Sequence, residues 1–111
     1  SNRGDAEAWL DCFAEDGQWN SHLFRCTGRD ELRRQWDLLW TGFASLGFLS
    51  EVGPIEVSGD TARARSYARE IVRLKDGGLY KLIGSYDDHL VRRDGTWLFA
   101  RRDYAPSVEE A

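Results

Sequence analysis

Residues 84–90 read Gly-Ser-Tyr-Asp-Asp-His-Leu, and a period of two through them sets Tyr86, Asp88 and Leu90 on one face. A carboxylate on a mostly apolar face holds its proton more tightly unless a cation neutralises it. That suits a general acid or base working near neutral pH. The phenol of Tyr86 can donate a hydrogen bond to a carbonyl, or to the enolate that forms from it. Asp88 and Tyr86 are therefore the candidate catalytic pair. Arg102 is a candidate for binding an acidic group, since a guanidinium grips a carboxylate with two hydrogen bonds. The same geometry would serve to neutralise Asp88 in a structural ion pair. Glu70 stands among alanines, either as a pocket acid or as a residue turned outward by a bulge. Trp36, Trp40 and Phe43 recur at helical spacing, which fits a helix core; their bulk also suits the wall of a pocket for a flat apolar ligand.

Other chemistries find little support. His22 and His89 read as surface or strand-end histidines. Cys12 and Cys26 lack CxxC spacing, and with two histidines as co-ligands a zinc site is not expected. Both read as reduced, small, semi-buried hydrophobes. No glycine-rich phosphate loop or metal-ligand cluster is present, so no cofactor is expected. Fifteen Lys and Arg against nineteen Asp and Glu give a net charge of −4, the wrong sign for a nucleic-acid partner. Arg63, Arg65, Arg69 and Arg73 read as a solvated strand face. No apolar run approaches the roughly 20 residues of a membrane helix, and no signal-peptide pattern opens the chain, so the expectation is a cytoplasmic protein off the membrane.

The elements that would position these groups follow from periodicity. In 111 residues there is room for one domain, here 1–106 with 107–111 as a tail. Ala6, Trp9, Leu10 and Phe13 predict a helix over 5–15, with Asp5 a plausible N-cap and Gly17 its stop. A short strand is expected over 18–24, then a second helix over 30–46 closed by Gly47. After Gly47 the period changes to two. Strands are expected at 48–58, 61–75, 79–92 and 96–104, the first interrupted at Gly53-Pro54 by an edge or bulge. Helices gathered before an antiparallel meander give an α+β fold, with helices on one face of the sheet.

Strand 61–75 separates its faces cleanly. Ala62, Ala64, Ser66, Ala68, Glu70 and Val72 lie on one side, and the four arginines with Tyr67 and Ile71 on the other. Pairing Lys75 with Leu79 would set Ala68 against Tyr86, Ser66 against Asp88 and Ala64 against Leu90. A slip of one residue would invert the second strand. At the last hairpin, a three-residue loop Arg93-Asp94-Gly95 puts Leu98, Ala100, Arg102 and Tyr104 on the face of Asp88; a two-residue loop puts Trp97, Phe99 and Arg101 there. The first choice is preferred in both cases. It leaves Tyr67, Ile71, Trp97 and Phe99 exposed among arginines on the outer face, which suits a symmetric homodimer.

Several strings resemble the SnoaL-like group of the nuclear-transport-factor-two superfamily. They are Ile55-Glu-Val-Ser-Gly-Asp-Thr-Ala62, Gly84-x-Tyr86-x-Asp88 with Leu90-Val91-Arg92, and Asp94-Gly95-Thr96-Trp97-Leu98-Phe99 with Arg102. Upstream, AWLDCFAEDG ending at Gly17 resembles the family's second helix, and Gly28 to Leu32 its third. The resemblance implies a strongly curved mixed or antiparallel sheet, a cystatin-like cone with helices on its concave face and a small-molecule pocket. It implies a dehydratase-, cyclase- or isomerase-like acid–base reaction on a small apolar or aromatic compound, or a non-catalytic ligand-binding or dimerisation module. Family catalysts pair an aspartate on a first helix, which would precede Ser1, with a histidine about seven residues before the isoleucine. Asn2 falls near the first of these positions. Phe48 occupies the second, where it can wall a pocket but cannot transfer a proton.

Overall fold

A computed structural model describes the backbone of residues 3–110 and the side chains of 5–41 and 53–107. In chain order the elements are α1 (Arg3–Leu10), β1 (Phe13–Asn20), β2 (Arg25–Thr27), α2 (Arg29–Gly42), β3 (Phe43–Ser58), β4 (Thr61–Leu74), β5 (Leu79–Arg93) and β6 (Thr96–Glu110). The six strands form one curved, unclosed sheet in the order β2-β1-β6-β5-β4-β3. Strands β3 to β6 make the expected antiparallel meander, while β1 runs parallel to β6. The fold is α+β, as the switch in periodicity predicts.

Local pattern misplaced several boundaries. Helix α1 is already running at Arg3, so Asp5 lies in its first turn. The helix stops at Leu10, where Cys12 N–H closes a short turn on the Trp9 carbonyl. Phe13 matched helical spacing yet opens β1, because Phe99 N–H bonds the Cys12 carbonyl and draws the chain onto β6. The segment 18–24 divides: β1 ends at Asn20, and Ser21 to Phe24 is a turn closed by Ser21 N–H on the Phe24 carbonyl. Helix α2 ends at Gly42 and not at residue 46. Gly42 is a poor helix residue, and Phe43 instead pairs with Leu74 in the long β3–β4 ladder. At the other end of the chain, residues 107–110 continue β6 and are not a loose tail, with Lys81 opposite Glu110.

The expected break at Gly53-Pro54 is real. The β3–β4 register shifts between Val52 and Ile55, and β3 is an edge strand, where proline's missing donor is tolerated. Strand β4 alternates exposed odd residues with half-buried or buried even ones, as its sequence requires.

The core lies at the helix-covered end of the sheet. Leu10, Phe13, Cys26 and Leu32 are buried together, with Trp9, Trp19, Phe24 and Phe99 packed around them. Trp9 is the hub, with ring centroids 4.8–5.0 Å from those of Phe13, Trp19 and Trp36. Glu7 ties the two helices by accepting hydrogen bonds from Arg29 (2.8 Å) and Arg33 (2.6 Å). Cys12 and Cys26 are both free thiols, Cys12 exposed and Cys26 buried.

Candidate functional site

The two hairpin registers decide which groups meet on the concave face. The β4–β5 loop is Lys75-Asp76-Gly77, closed by Leu74 N–H on the Gly78 carbonyl, one residue earlier on each strand than expected. Ala64 therefore faces Asp88, Ser66 faces Tyr86, Ala68 faces Gly84 and Glu70 faces Leu82. The partners are displaced by two residues and the face assignment survives, because a shift of two preserves side-chain parity.

The last hairpin takes the two-residue loop and not the preferred three-residue one. Asp94 and Gly95, at φ 52° and 77°, form a two-residue turn that pairs Arg93 with Thr96. Phe99 therefore lies across from Leu90, and Leu98 across from Val91 on the opposite face from Asp88. The register then shifts at Ala100, which brings Arg102 opposite Asp88 and Tyr104 opposite Tyr86. Placing Leu98 on the inner face was incorrect, whereas Arg102 and Tyr104 stand where they were expected. Trp97 and Phe99 do not lie on the outer face. Phe99 packs against Phe13, and Arg92 lies over the Trp97 ring.

At the helix-covered end, the concave face holds a half-open cavity of about 120 Å³. Leu39 of α2 closes it from above, reaching the Glu70–Val72 stretch of β4 rather than the Ala62–Ala64 end. Tyr80, Leu82 and Tyr86 of β5 and Tyr104 of β6 form its floor, and residues Ser21 to Phe24 form part of its rim. Tyr104 can lie flat there because Gly84 carries no side chain; a Cβ on Gly84 would stand 2.5 Å from both the Tyr104 hydroxyl and the Ala105 carbonyl oxygen.

Glu70 and Tyr86 are the polar pair on this wall, the Tyr86 hydroxyl donating to Glu70 Oε1 at 3.3 Å. Burial pushes the Glu70 carboxyl above the usual carboxylate range, while the Tyr86 hydrogen bond and the Arg102 charge pull it back. Burial also raises the Tyr86 phenol well above its ordinary value, and the neighbouring Glu70 charge adds to that. Tyr86 thus stays a neutral donor.

Asp88 and Arg102 form the layer beside this pair. Arg102 donates from Nε to Asp88 Oδ1 (3.0 Å) and from Nη2 to Oδ2 (3.3 Å), and Asp88 is 4% exposed. Burial raises the Asp88 carboxyl and the Arg102 charge opposes the rise. The guanidinium also stacks 4.0 Å from the Tyr86 ring centroid and 4.5 Å from that of Phe99. Arg102 is clamped on three sides, and neither it nor Asp88 lines the cavity.

Other candidate residues fall elsewhere. Trp36 and Trp40 continue the aromatic stack above Trp9 and do not line the cavity. Leu90 lies in a shallow groove at the far end of the sheet, with Val57, Ala62 and Ala100. Phe48 pairs with Glu70 through the backbone, and its side chain lies outside the described residues, as does Asn2. Sequence reasoning missed Trp19, Leu39 and the rim turn with His22. Leu39 was legible in the α2 stripe, but the rim was not, because the 21–24 segment reads locally as strand. Among the described residues, no group of three or more His, Cys, Asp and Glu could hold a metal, and no helix is long and apolar enough to cross a membrane.

With this geometry in hand, known proteins offer a comparison. A candidate scytalone dehydratase from Novosphingobium aromaticivorans is 28% identical, with TM-score 0.85 over 95% of this chain and 72% of its own. A ketosteroid isomerase-like protein from Erwinia carotovora atroseptica is 20% identical, with TM-score 0.86 over 96% of this chain and 84% of its own. The type-3 hexachlorocyclohexane dehydrochlorinase of Novosphingobium barchaimii is 14% identical, with TM-score 0.85 over 97% and 77%. The last two likenesses are of fold alone. No curated protein matches the sequence. The model of the SnoaL-like domain matches residues 1–103, so the chain belongs to the SnoaL-like domain family.

Proposed function

We propose that this chain is a small-molecule pocket protein and a cofactor-independent acid–base catalyst of the lyase or isomerase class, acting on a compact apolar or aromatic compound. One observation carries the reading: Glu70 and Tyr86 meet on the wall of a mostly apolar cavity. A carboxyl whose proton affinity is raised by burial is a stronger base than an exposed one. Ionised Glu70 takes a proton from carbon next to a ligand carbonyl, and Tyr86 donates to the oxygen as charge develops on it. Return of that proton to a different carbon is isomerisation, and departure of a leaving group from the β-carbon is elimination. The 3.3 Å bond between the two residues is long enough for Tyr86 to exchange it for one to the ligand. Proton transfer falls to Glu70 rather than Asp88 because both Asp88 oxygens already accept from Arg102. Neighbours named for a dehydratase, a dehydrochlorinase and an isomerase-like protein support the reaction class without specifying the reaction.

The test is solvent-deuterium exchange and product formation with a panel of cyclic ketones and enones, followed by NMR. Glu70→Gln is expected to lower the rate by about 10²- to 10⁴-fold while the protein stays folded. Tyr86→Phe should have a smaller effect of the same sign. A Glu70→Gln protein as fast as its parent sinks the assignment.

Phe48 favours a second reading, a non-catalytic binding module, because it stands where the family resemblance implies a histidine. Saturable ligand binding with no Glu70-dependent chemistry would select it. We also propose that the convex face pairs with a second copy, now on Tyr67, Ile71 and Ile83, which are 41–53% exposed. A monomeric mass by light scattering at micromolar concentration would remove that proposal.

A further inference from the structure

Resting on the pocket reading above, we propose that the cavity selects an uncharged ligand about the size of one six-membered ring and rejects its carboxylate counterpart.

Size comes first. The cavity holds about 120 Å³, and an apolar protein cavity of about 150 Å³ accommodates benzene. One six-membered ring is the scale of ligand that such a volume suits.

Charge follows from what the walls lack. Among the described residues, no lysine or arginine lines the cavity. The run Gly42 to Val52, whose side chains lie outside the description, contains no lysine, arginine or histidine. Arg102 is the cation that acts on Glu70 and Tyr86, but its Nε and Nη2 are held by Asp88 and its planar face lies on the Tyr86 and Phe99 rings. A ligand anion would have to compete with Asp88 for the guanidinium. Among the described residues, the carboxyl that reaches the cavity is that of Glu70, so an entering carboxylate meets a like charge or forces Glu70 to take up a proton. Tyr80, Tyr86 and Tyr104 supply only neutral hydroxyls, and His22 stands exposed at the rim, screened by solvent. A neutral carbonyl meets none of these penalties and gains a hydrogen bond from Tyr86.

Benzamide and benzoate have nearly the same shape and differ in charge, so they isolate the effect. Each is titrated into the full chain at pH 8 and pH 5, following the NMR signals of Val72, Leu82 and Tyr86. Benzamide is expected to bind saturably at both pH values. Benzoate should bind at least about tenfold more weakly at pH 8, because an unpaired anion is poorly tolerated in an apolar cavity, and the gap should narrow at pH 5. Glu70→Gln should narrow it at pH 8. Benzoate binding as well as benzamide at pH 8 overturns the charge selectivity and leaves the pocket reading standing. A gap that Glu70→Gln does not change overturns the role given to Glu70 in that selectivity. If neither compound moves those signals at millimolar concentration, the pocket reading fails and this inference fails with it.

Discussion

Asp87 and Asp88 are neighbours in the chain, yet the two faces of β5 treat the same carboxylate in opposite ways. Asp87 points to the convex face, where Arg63 donates to both its oxygens at 3.0 and 2.7 Å, with Arg65 and His89 further out. The Arg63 hydrogen bonds hold it below the usual carboxylate range. Asp88 points to the concave face and also has a guanidinium partner, but burial outweighs that partner and raises its proton affinity. The partner is therefore not what separates them; solvent is. Water screens and shares the convex-face pair, so Asp87 is ionised at little cost and contributes little. Asp88 has lost its water and Arg102 most of its own, and each depends on the other.

The largest expected effect tests that dependence. Asp88→Asn leaves Arg102 without its counter-charge at a mostly buried site, and we expect a loss of about 3 kcal/mol, the low end for breaking a buried pair because Arg102 keeps some exposure. For a domain of this size that lowers Tm by about 10–20 °C. A melt matching the parent's would show that the concave face holds this charge no more tightly than the convex one.

Packing gives the next contrast. Gly84→Ala places a methyl against the Ala105 carbonyl and the Tyr104 ring, and the carbonyl belongs to the paired strand and cannot swing away. A loss of about 1–3 kcal/mol is expected in chemical denaturation. Ser85→Ala, one residue along and on the other face, should stay within about 0.5 kcal/mol.

Proton linkage sharpens the comparison further. Glu70 has a folded pKa above its unfolded value, so its contribution is fully present below the unfolded pKa and is lost as pH rises through the folded one. The parent should therefore lose stability relative to Glu70→Gln on going from acid to neutral pH. Asp87 has a depressed pKa, so its contribution is present at neutral pH and is lost as pH falls through the folded value. Denaturant melts of both variants against the parent across that range should show slopes of opposite sign. Equal slopes would mean that the two faces do not differ in solvation. Among the charge variants the smallest effect is Asp87→Asn itself at neutral pH, below about 1 kcal/mol and fading with added salt.

Along β4 and β5 the sequence by itself determined which residues share a face. The small-and-arginine alternation of β4 set Ala68, Glu70 and Val72 inward, and that assignment survived a two-residue error in register because strand parity is a local property. Asp94-Gly95 marked where the chain turns, although the loop is the two-residue one that was not preferred. Tertiary structure decided the rest. Phe13 and Phe43 carried helical spacing, but long-range ladders to β6 and β4 took them as strand residues. The bulge at Ala100 brought Arg102 to Asp88, and no pattern within β6 marks it. The cavity needs Leu39 from α2, Glu70 from β4, Tyr86 from β5 and the 21–24 rim to meet. Periodicity fixes the direction of each side chain along its own element, but which elements come together depends on burial and hydrogen bonding summed over the whole chain.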